Sequence, residues 1–248
     1  MLTESVKKEL QKVIGSADGI GAQVYISKVG ELVRKYKNVT RIEASLSEIE
    51  IRSKSALIRA IESRDMINSQ STVVIWGCGY GSILIPYFSS RVARVIAIDQ
   101  DDEVIRFAKN KLFRENTNVD FITDDIFATH RSFYMTTNLI VNASCDYMRP
   151  MKEWPWFQHG ALSTDRDFPK GSGDRIPSRK RAFVSPKLST EAHFAFQSSN
   201  LVGVDGRVNC VKSLDAFKLQ LPSRAEVQAS DETEVEGGKV FTLVGKFK

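Results

Sequence analysis

Two hydrophobic periods divide this chain. Up to about residue 70 the apolar positions recur at helical spacing. Leu2, Val6, Leu10, Val13 and Ile14 form one set, and Val29, Leu32, Val33 and Tyr36 a second; each set falls on one helix face. A third helix is expected from about Ser53 to Ile67, with Leu57, Ile58 and Ile61 inward, and Asn38-Val39-Thr40-Arg41 and Leu46-Ser47-Glu48 read as connections. This N-terminal helical cap, residues 1–70, either covers one face of a sheet or forms a lid over a substrate site.

From Thr72 strand-like runs alternate with helix-like ones. Val73-Val74-Ile75-Trp76 suits a buried strand and runs into Gly77, Gly79 and Gly81; Ile83-Leu84-Ile85-Pro86-Tyr87-Phe88 then has length for a short helix. Arg94-Val95-Ile96-Ala97-Ile98 is a second strand ending at Asp99. The helix after it has Asp101 and Asp102 in capping range and Val104, Ile105, Ala108 and Leu112 on one face. Asn118–Ile122, Asn138–Asn142 and His193–Asn200 are the third, fourth and fifth strands. Met148 to Trp154 reads as a helix start with Pro150 in its first turn, and Trp154, Trp156 and Phe157 read as core. Ser213 to Leu219 is a short helix. Arg224–Ala229 and Lys239–Phe247 are the last strands, and the acidic stretch 230–238 between them is too short for a crossover helix, so that pair is antiparallel.

The chemistry gathers at the strand ends. Glycine permits positive φ in a tight turn and lets a ligand lie against the backbone, and the turn feeds a helix N-terminus whose free N–H groups favour a polar or anionic group. A strand, a glycine turn and a helix open a nucleotide-binding βαβ unit. Asp99, 18 positions beyond Gly81, is placed to accept both hydroxyls of a ribose. Asp124 and Asp125 are placed to hold the exocyclic amine of an adenine, with Ile126 packing on the ring, or to cap a helix, and the two roles are compatible. In an open parallel sheet ligands sit beyond the carboxyl ends of the strands, so Asn142 to Tyr147 face the crevice. Asp146 and Tyr147 are candidate acid/base or orienting groups, and His193 is a further candidate base. Cys145 has no histidine nearby in sequence, which favours a buried structural thiol over a nucleophile.

Composition sharpens this in two places. At 42% hydrophobic and 26% charged the chain is of ordinary soluble globular type, with no apolar run near the ~20 residues that span a bilayer and no secretory signal in Met1-Leu2-Thr3-Glu4. Its three cysteines, Cys78, Cys145 and Cys210, are widely spaced, which argues for a reducing compartment, the cytoplasm, and against a disulfide scaffold or a zinc site. No metal is expected. The formal charge of +5 is concentrated: residues 159–190 carry seven basic and three acidic side chains, +4 in all. With Gly171-Ser172-Gly173 and three prolines, that stretch reads as a basic mobile insertion. It is either solvated or, through Arg179, Lys180 and Arg181, in contact with a nucleic acid backbone or an anionic substrate.

The whole pattern resembles the class I S-adenosylmethionine-dependent methyltransferases over about residues 70 to 248. The markers are Gly77-Cys78-Gly79-Tyr80-Gly81, Asp99 after the second strand, Asp124-Asp125 and Asn142. The resemblance implies a three-layer α/β/α Rossmann-like fold. Its sheet is seven-stranded and mainly parallel with an antiparallel C-terminal strand, residues 71–248 forming the methyltransferase domain. It also implies S-adenosylmethionine held by Trp76, Gly77, Cys78, Gly79 and Gly81, by Asp99 and Gln100, by Asp124, Asp125 and Ile126, and by Asn142. Methyl transfer would then involve Asp146, Tyr147 and Asn142. The runs Asn142-Ala143-Ser144-Cys145-Asp146-Tyr147-Met148, Gln197-Ser198-Ser199-Asn200 and Val208-Asn209-Cys210-Val211 are similar to a subgroup known mainly from bacterial and phage genomes, which implies a bacterial or phage-infected cell. Two departures stand out: Ile75 replaces the usual acidic residue that positions the methionine amine, and an Asn-Pro-Pro-Tyr type signature is lacking. Three alternatives stay open: a non-catalytic methyltransferase-like binding module, aminopropyl or aminobutanoyl transfer from the same cofactor, and an NAD-dependent oxidoreductase reading Gly77-x-Gly79-x-x-Ser82.

Overall fold

A computed structural model describes residues 4–15, 20–36, 40–126, 136–154, 192–204 and 206–248. Seven strands form one sheet: β1 (Thr72–Trp76), β2 (Arg94–Asp99), β3 (Val119–Thr123), β4 (Leu139–Asn142), β5 (His193–Ser199), β6 (Ala225–Val235) and β7 (Gly238–Phe247), in the order β3-β2-β1-β4-β5-β7-β6. The pairs from β3 to β5 are parallel, and β7 runs antiparallel to both β5 and β6. The strand order reverses at β1 and β4, so their carboxyl ends open a crevice on one edge of the sheet.

Each face of the sheet carries its own core. On one face Val73 and Ile75 of β1 join Leu10, Ile42, Leu57, Ile58 and Phe88 in a single buried cluster. On the other, Val74 and Trp76 join Trp154, Phe194, Phe196, Phe217 and Phe247. This alternation is the period-two geometry of a strand buried on both sides. The first cluster is supplied largely by α1 (Glu4–Ile14), α2 (Ile20–Lys35), α3 (Thr40–Ala44), α4 (Glu48–Glu62), α5 (Leu84–Ser89) and α6 (Asp102–Phe107), which continues as a π-turn over Ala108–Leu112. The second is closed in part by α7 (Leu214–Lys218). α4 lies across β5, β6 and β7.

Four expectations change. α4 begins at Glu48 rather than Ser53, because Ser47 caps it by accepting the Glu50 N–H at 3.3 Å. α3 occupies part of the expected connection at 38–41. Instead of a helix after Pro150 there is a single 3-10 turn, Met151–Glu153, and Trp154 is core, its indole N–H donating to the Arg149 carbonyl at 2.7 Å. The acidic stretch after Ala229 is strand, and the chain reverses at Gly237, φ +82°. An edge strand tolerates that charge because its outer side chains meet water, and Lys239 of β7 bridges Glu232 at 3.0 Å and Glu234 at 3.1 Å. The basic stretch 159–190, with Arg179, Lys180 and Arg181, and also Trp156 and Phe157, lie outside the described residues. Among the described residues no helix is long and apolar enough to cross a membrane.

Candidate active site

The turn after β1 is built from backbone. Gly77, Gly79 and Gly81 all have positive φ, +58°, +52° and +62°, where a side chain is strained. A Cβ at Gly81 would also stand 2.2 Å from Ile85 Cδ1, whereas one at Gly79 would meet nothing within 4 Å. Gly81 is thus needed for packing on α5, and Gly79 leaves an open surface facing the crevice. The Cys78 N–H donates to the Ile98 carbonyl at 3.0 Å, tying the turn to β2. Asp99 completes it: Oδ2 accepts the Gly79 N–H at 2.8 Å and Oδ1 the Asp101 N–H at 3.0 Å. Asp101 in turn caps α6, accepting from the Glu103 and Val104 N–H groups. Burial, and then the neighbouring Asp99 carboxylate, push the Cys78 thiol well above its ordinary value, which disfavours the thiolate that a nucleophile needs.

The crevice has a volume of about 340 Å³, within the range of small-molecule sites. Its floor is the glycine turn with Asp99. Ile75, Ala143, Ser144 and Tyr147 form one wall, and Ser45, just after α3, joins Glu50 and Lys54 of α4. Glu50 and Lys54, one turn apart on α4, form an ion pair at 2.5 Å with side chains 27% and 13% exposed. Lys54 Nζ also donates to the Ala143 carbonyl at 3.4 Å.

Beyond Ala143 and Tyr147 lies a second, smaller recess of about 30 Å³. It shares Glu50, Lys54, Ala143, Ser144 and Tyr147 with the crevice, and Ser53, Asp146, Gln197, Ser199 and Arg207 line the remainder. Asp146 is buried and paired with Arg207 Nη1 at 3.0 Å. The Ser199 hydroxyl donates to Asp146 Oδ2 at 2.6 Å and accepts from Arg207. Arg207 Nε donates to the Tyr147 hydroxyl at 3.2 Å. Burial works against the Arg207 charge, but the Tyr147 hydrogen bond and the Asp146 carboxylate outweigh it and hold the guanidinium above its ordinary value. The loop carrying Arg207 is fixed by the Val208 and Asn209 N–H groups, which donate to the Asp146 carbonyl at 2.8 and 2.9 Å. Asn209 and Gln220 exchange reciprocal amide bonds at 3.0 and 2.9 Å. Three separate sequence runs, at 142–148, 197–200 and 208–211, therefore meet in one network.

Measured against expectation, the crevice brings together Gly77, Cys78, Gly79, Gly81, Asp99 and Tyr147. Gln100, exposed, follows directly on Asp99, while Asp124, Asp125 and the buried Ile126 follow β3 at the same sheet edge; none of these four lines the crevice. Five side chains sit elsewhere or do other work. Trp76 is fully buried on the opposite face, against Trp154 and Phe196, because successive strand residues alternate sides. Asn142 is fully buried; its Oδ1 accepts the Ser144 N–H at 2.9 Å and its amide faces the Met148 sulfur at 3.1 Å, so it shapes the bend after β4. Asp146 is held by Arg207 and Ser199 and is not a free base. His193 begins β5, paired with Leu139 at the start of β4, so it lies at the sheet end opposite the crevice. Cys145 is buried, and burial followed by Asp146 raises its thiol well above the usual range; it is a structural thiol. Sequence reasoning missed Ser45, Glu50, Lys54 and Arg207. The i,i+4 spacing of Glu50 and Lys54 was visible, but it is also the signature of a solvated ion pair.

No protein-family model matches this sequence, and no curated protein matches it. Solved structures do. A Leishmania major S-adenosylmethionine-dependent methyltransferase superposes with a TM-score of 0.55 at 11% identity, covering 98% of this chain and 82% of that one. A Pyrococcus horikoshii protein gives 0.55 at 14%, covering 86% and 99%. The magnesium protoporphyrin IX methyltransferase of Synechocystis, solved with S-adenosylhomocysteine, gives 0.52 at 12%, covering 89% and 100%. The chain thus has the fold of the class I methyltransferases. Its strand order, with β7 inserted antiparallel between β5 and β6, is the Rossmann-like arrangement of that class.

Proposed function

We propose that the crevice binds S-adenosylmethionine and that the chain transfers its methyl group to an acceptor. One observation carries the reading: the glycine turn, Asp99 and the Glu50–Lys54 pair converge on a single cavity at the carboxyl ends of β1, β2 and β4. Asp99 presents its carboxylate to the ribose hydroxyls, and the open side of Gly79 receives the ligand against the backbone. Asp124, Asp125 and Ile126, beyond the end of β3, are assigned to the adenine.

Ile75 leaves the usual position for holding the methionine amine apolar. Glu50 lines the same cavity from α4, and in this reading it takes that role, with Lys54 at the methionine carboxylate. An ion pair of this kind matches a zwitterion charge for charge, exchanging one internal pair for two external ones. The N-terminal helices then both cover a sheet face and supply a wall of the site. The sulfonium brings an activated methyl group, so these residues chiefly supply alignment, worth up to roughly 7–11 kcal/mol of barrier. The three free thiols suit a reducing, cytoplasmic setting.

Calorimetric titration with S-adenosylhomocysteine tests this, with NAD as control. Micromolar binding of the first and none of the second is expected, with affinity falling about tenfold in Glu50→Gln, the scale of one charged hydrogen bond. Absence of S-adenosylhomocysteine binding would move the assignment to a non-catalytic module, and NAD binding to an oxidoreductase.

A further inference from the structure

Beside the recess behind the crevice lies an unanswered hydrogen-bond acceptor. Gln197 is 1% exposed. Its Nε2 donates to the Ser53 carbonyl at 2.7 Å and meets the Thr242 hydroxyl at 2.9 Å. A carbonyl only accepts, so the amide orientation is fixed: nitrogen toward Ser53, oxygen away. That oxygen, Oε1, is buried without a partner among the described residues. Leaving a buried acceptor unmatched is costly, and Gln197 lines a recess of about 30 Å³, room for roughly two water-sized groups.

The charges around this oxygen cancel. Asp146 is matched by Arg207 at 3.0 Å, and Glu50 by Lys54 at 2.5 Å or, with the cofactor bound as proposed, by its methionine ammonium. A full cation entering the recess would find no uncompensated carboxylate, so a neutral donor fits better than an ammonium. Nor is there a free base. Gln197 orients an N–H or O–H but takes no proton, and both carboxylates are already paired. A hydroxyl nucleophile must shed its proton to attack well, whereas an amino nitrogen attacks with both hydrogens in place.

We propose, resting on the reading above, that the recess seats a neutral amino group of the methyl acceptor, with Gln197 Oε1 accepting one of its N–H bonds. The nitrogen lone pair forms the new N–C bond to the methyl carbon. The C–S bond breaks and its electron pair stays on sulfur, which becomes a neutral thioether. The nitrogen, now cationic, releases its proton to water once it leaves the recess. Gln197 is an acceptor-positioning residue, and Tyr147 lines both cavities.

Aniline and phenol, alike in ring and different in nucleophile, probe this directly. Crystals of the full chain with S-adenosylhomocysteine, soaked in saturating aniline, should show its nitrogen within hydrogen-bond distance of Gln197 Oε1. A recess holding only water under those conditions overturns the proposal. With labelled S-adenosylmethionine, label should appear in N-methylaniline and not in anisole; the reverse preference also overturns it. Gln197→Leu should weaken aniline binding at least tenfold while S-adenosylhomocysteine affinity stays within about twofold, the separation expected when one hydrogen bond at one subsite is removed. Equal weakening of both overturns it. Gln197→Glu, with its melting temperature as a folding check, covers the case in which the leucine variant does not fold. If wild type binds no S-adenosylhomocysteine, the cofactor assignment falls, while a soak in aniline alone still decides the recess.

Discussion

The two sides of the crevice are built differently. On the β1–β2 side the geometry is carried by backbone: three positive-φ glycines, a turn tied to β2, and one carboxylate receiving two N–H groups, all within residues 77–101. On the β4–β5 side it is carried by side chains that are distant in sequence: Asp146, Ser199, Arg207, Asn209 and Gln220. The first side is fixed by local conformation. The second exists only once β4, β5 and the following loop have assembled, and it places a charge pair whose side chains are only 8% and 6% exposed. Rigidity at a site therefore has two sources here, which fail in different ways.

The largest expected effect is on the side-chain half. Arg207→Ala strands the Asp146 carboxylate, whose side chain is 6% exposed, and should cost about 3–5 kcal/mol of stability in denaturant titration. Removing both charges, Arg207→Met with Asp146→Asn, should recover much of that loss, since no unpaired charge remains buried. A double variant no better than Arg207→Ala would contradict the account of this half. The backbone half should respond through binding. Asp99→Ala removes the acceptor for two N–H groups and the carboxylate assigned to the ribose. S-adenosylhomocysteine affinity should fall ten- to a hundredfold, about 1.5–3 kcal/mol. Asp146→Asn should leave that affinity nearly unchanged, and equal losses in the two variants would erase the distinction between the halves.

The smallest effect lies away from both. Burial, opposed by a hydrogen bond to Asn138, lowers the His193 pKa below its ordinary 6.5. The unfolded chain then binds the proton more readily than the folded one, so this contribution is present above about pH 6.5 and is lost as pH falls through the interval below it. His193→Gln should flatten that part of the stability profile without altering methyl transfer near neutrality. A change in transfer would restore His193 as a candidate base.

The same contrast explains what the sequence made legible. Gly77-Cys78-Gly79-Tyr80-Gly81 and Asp99 stood out because a turn requiring positive φ leaves a local signature, and the period change at Thr72 marked the start of the sheet. The network around Asp146 left only fragments: three unusual runs with nothing in the one-dimensional pattern to say that they meet. Arg207 carries no local signal that sets it apart from the other cations of the chain. The acidic stretch of β6 looked like a turn because strand propensity speaks for a half-buried surface and an edge strand departs from it. The sequence pattern predicts α4 only from about Ser53, five residues late, which leaves Glu50 outside any expected element.

α4 also sets an order on assembly. It spans residues 48–62 yet packs on β5, β6 and β7, the last of which ends at Phe247. Its residues Ile51, Leu57, Ile58 and Ile61 are all buried in the finished protein. During synthesis this helix emerges early, and strands that shield it are made last. At roughly 5–20 residues per second, that leaves it without much of its cover for tens of seconds at the slower rate. A nascent chain stopped before β7 would thus carry an apolar stripe, a natural target for a chaperone.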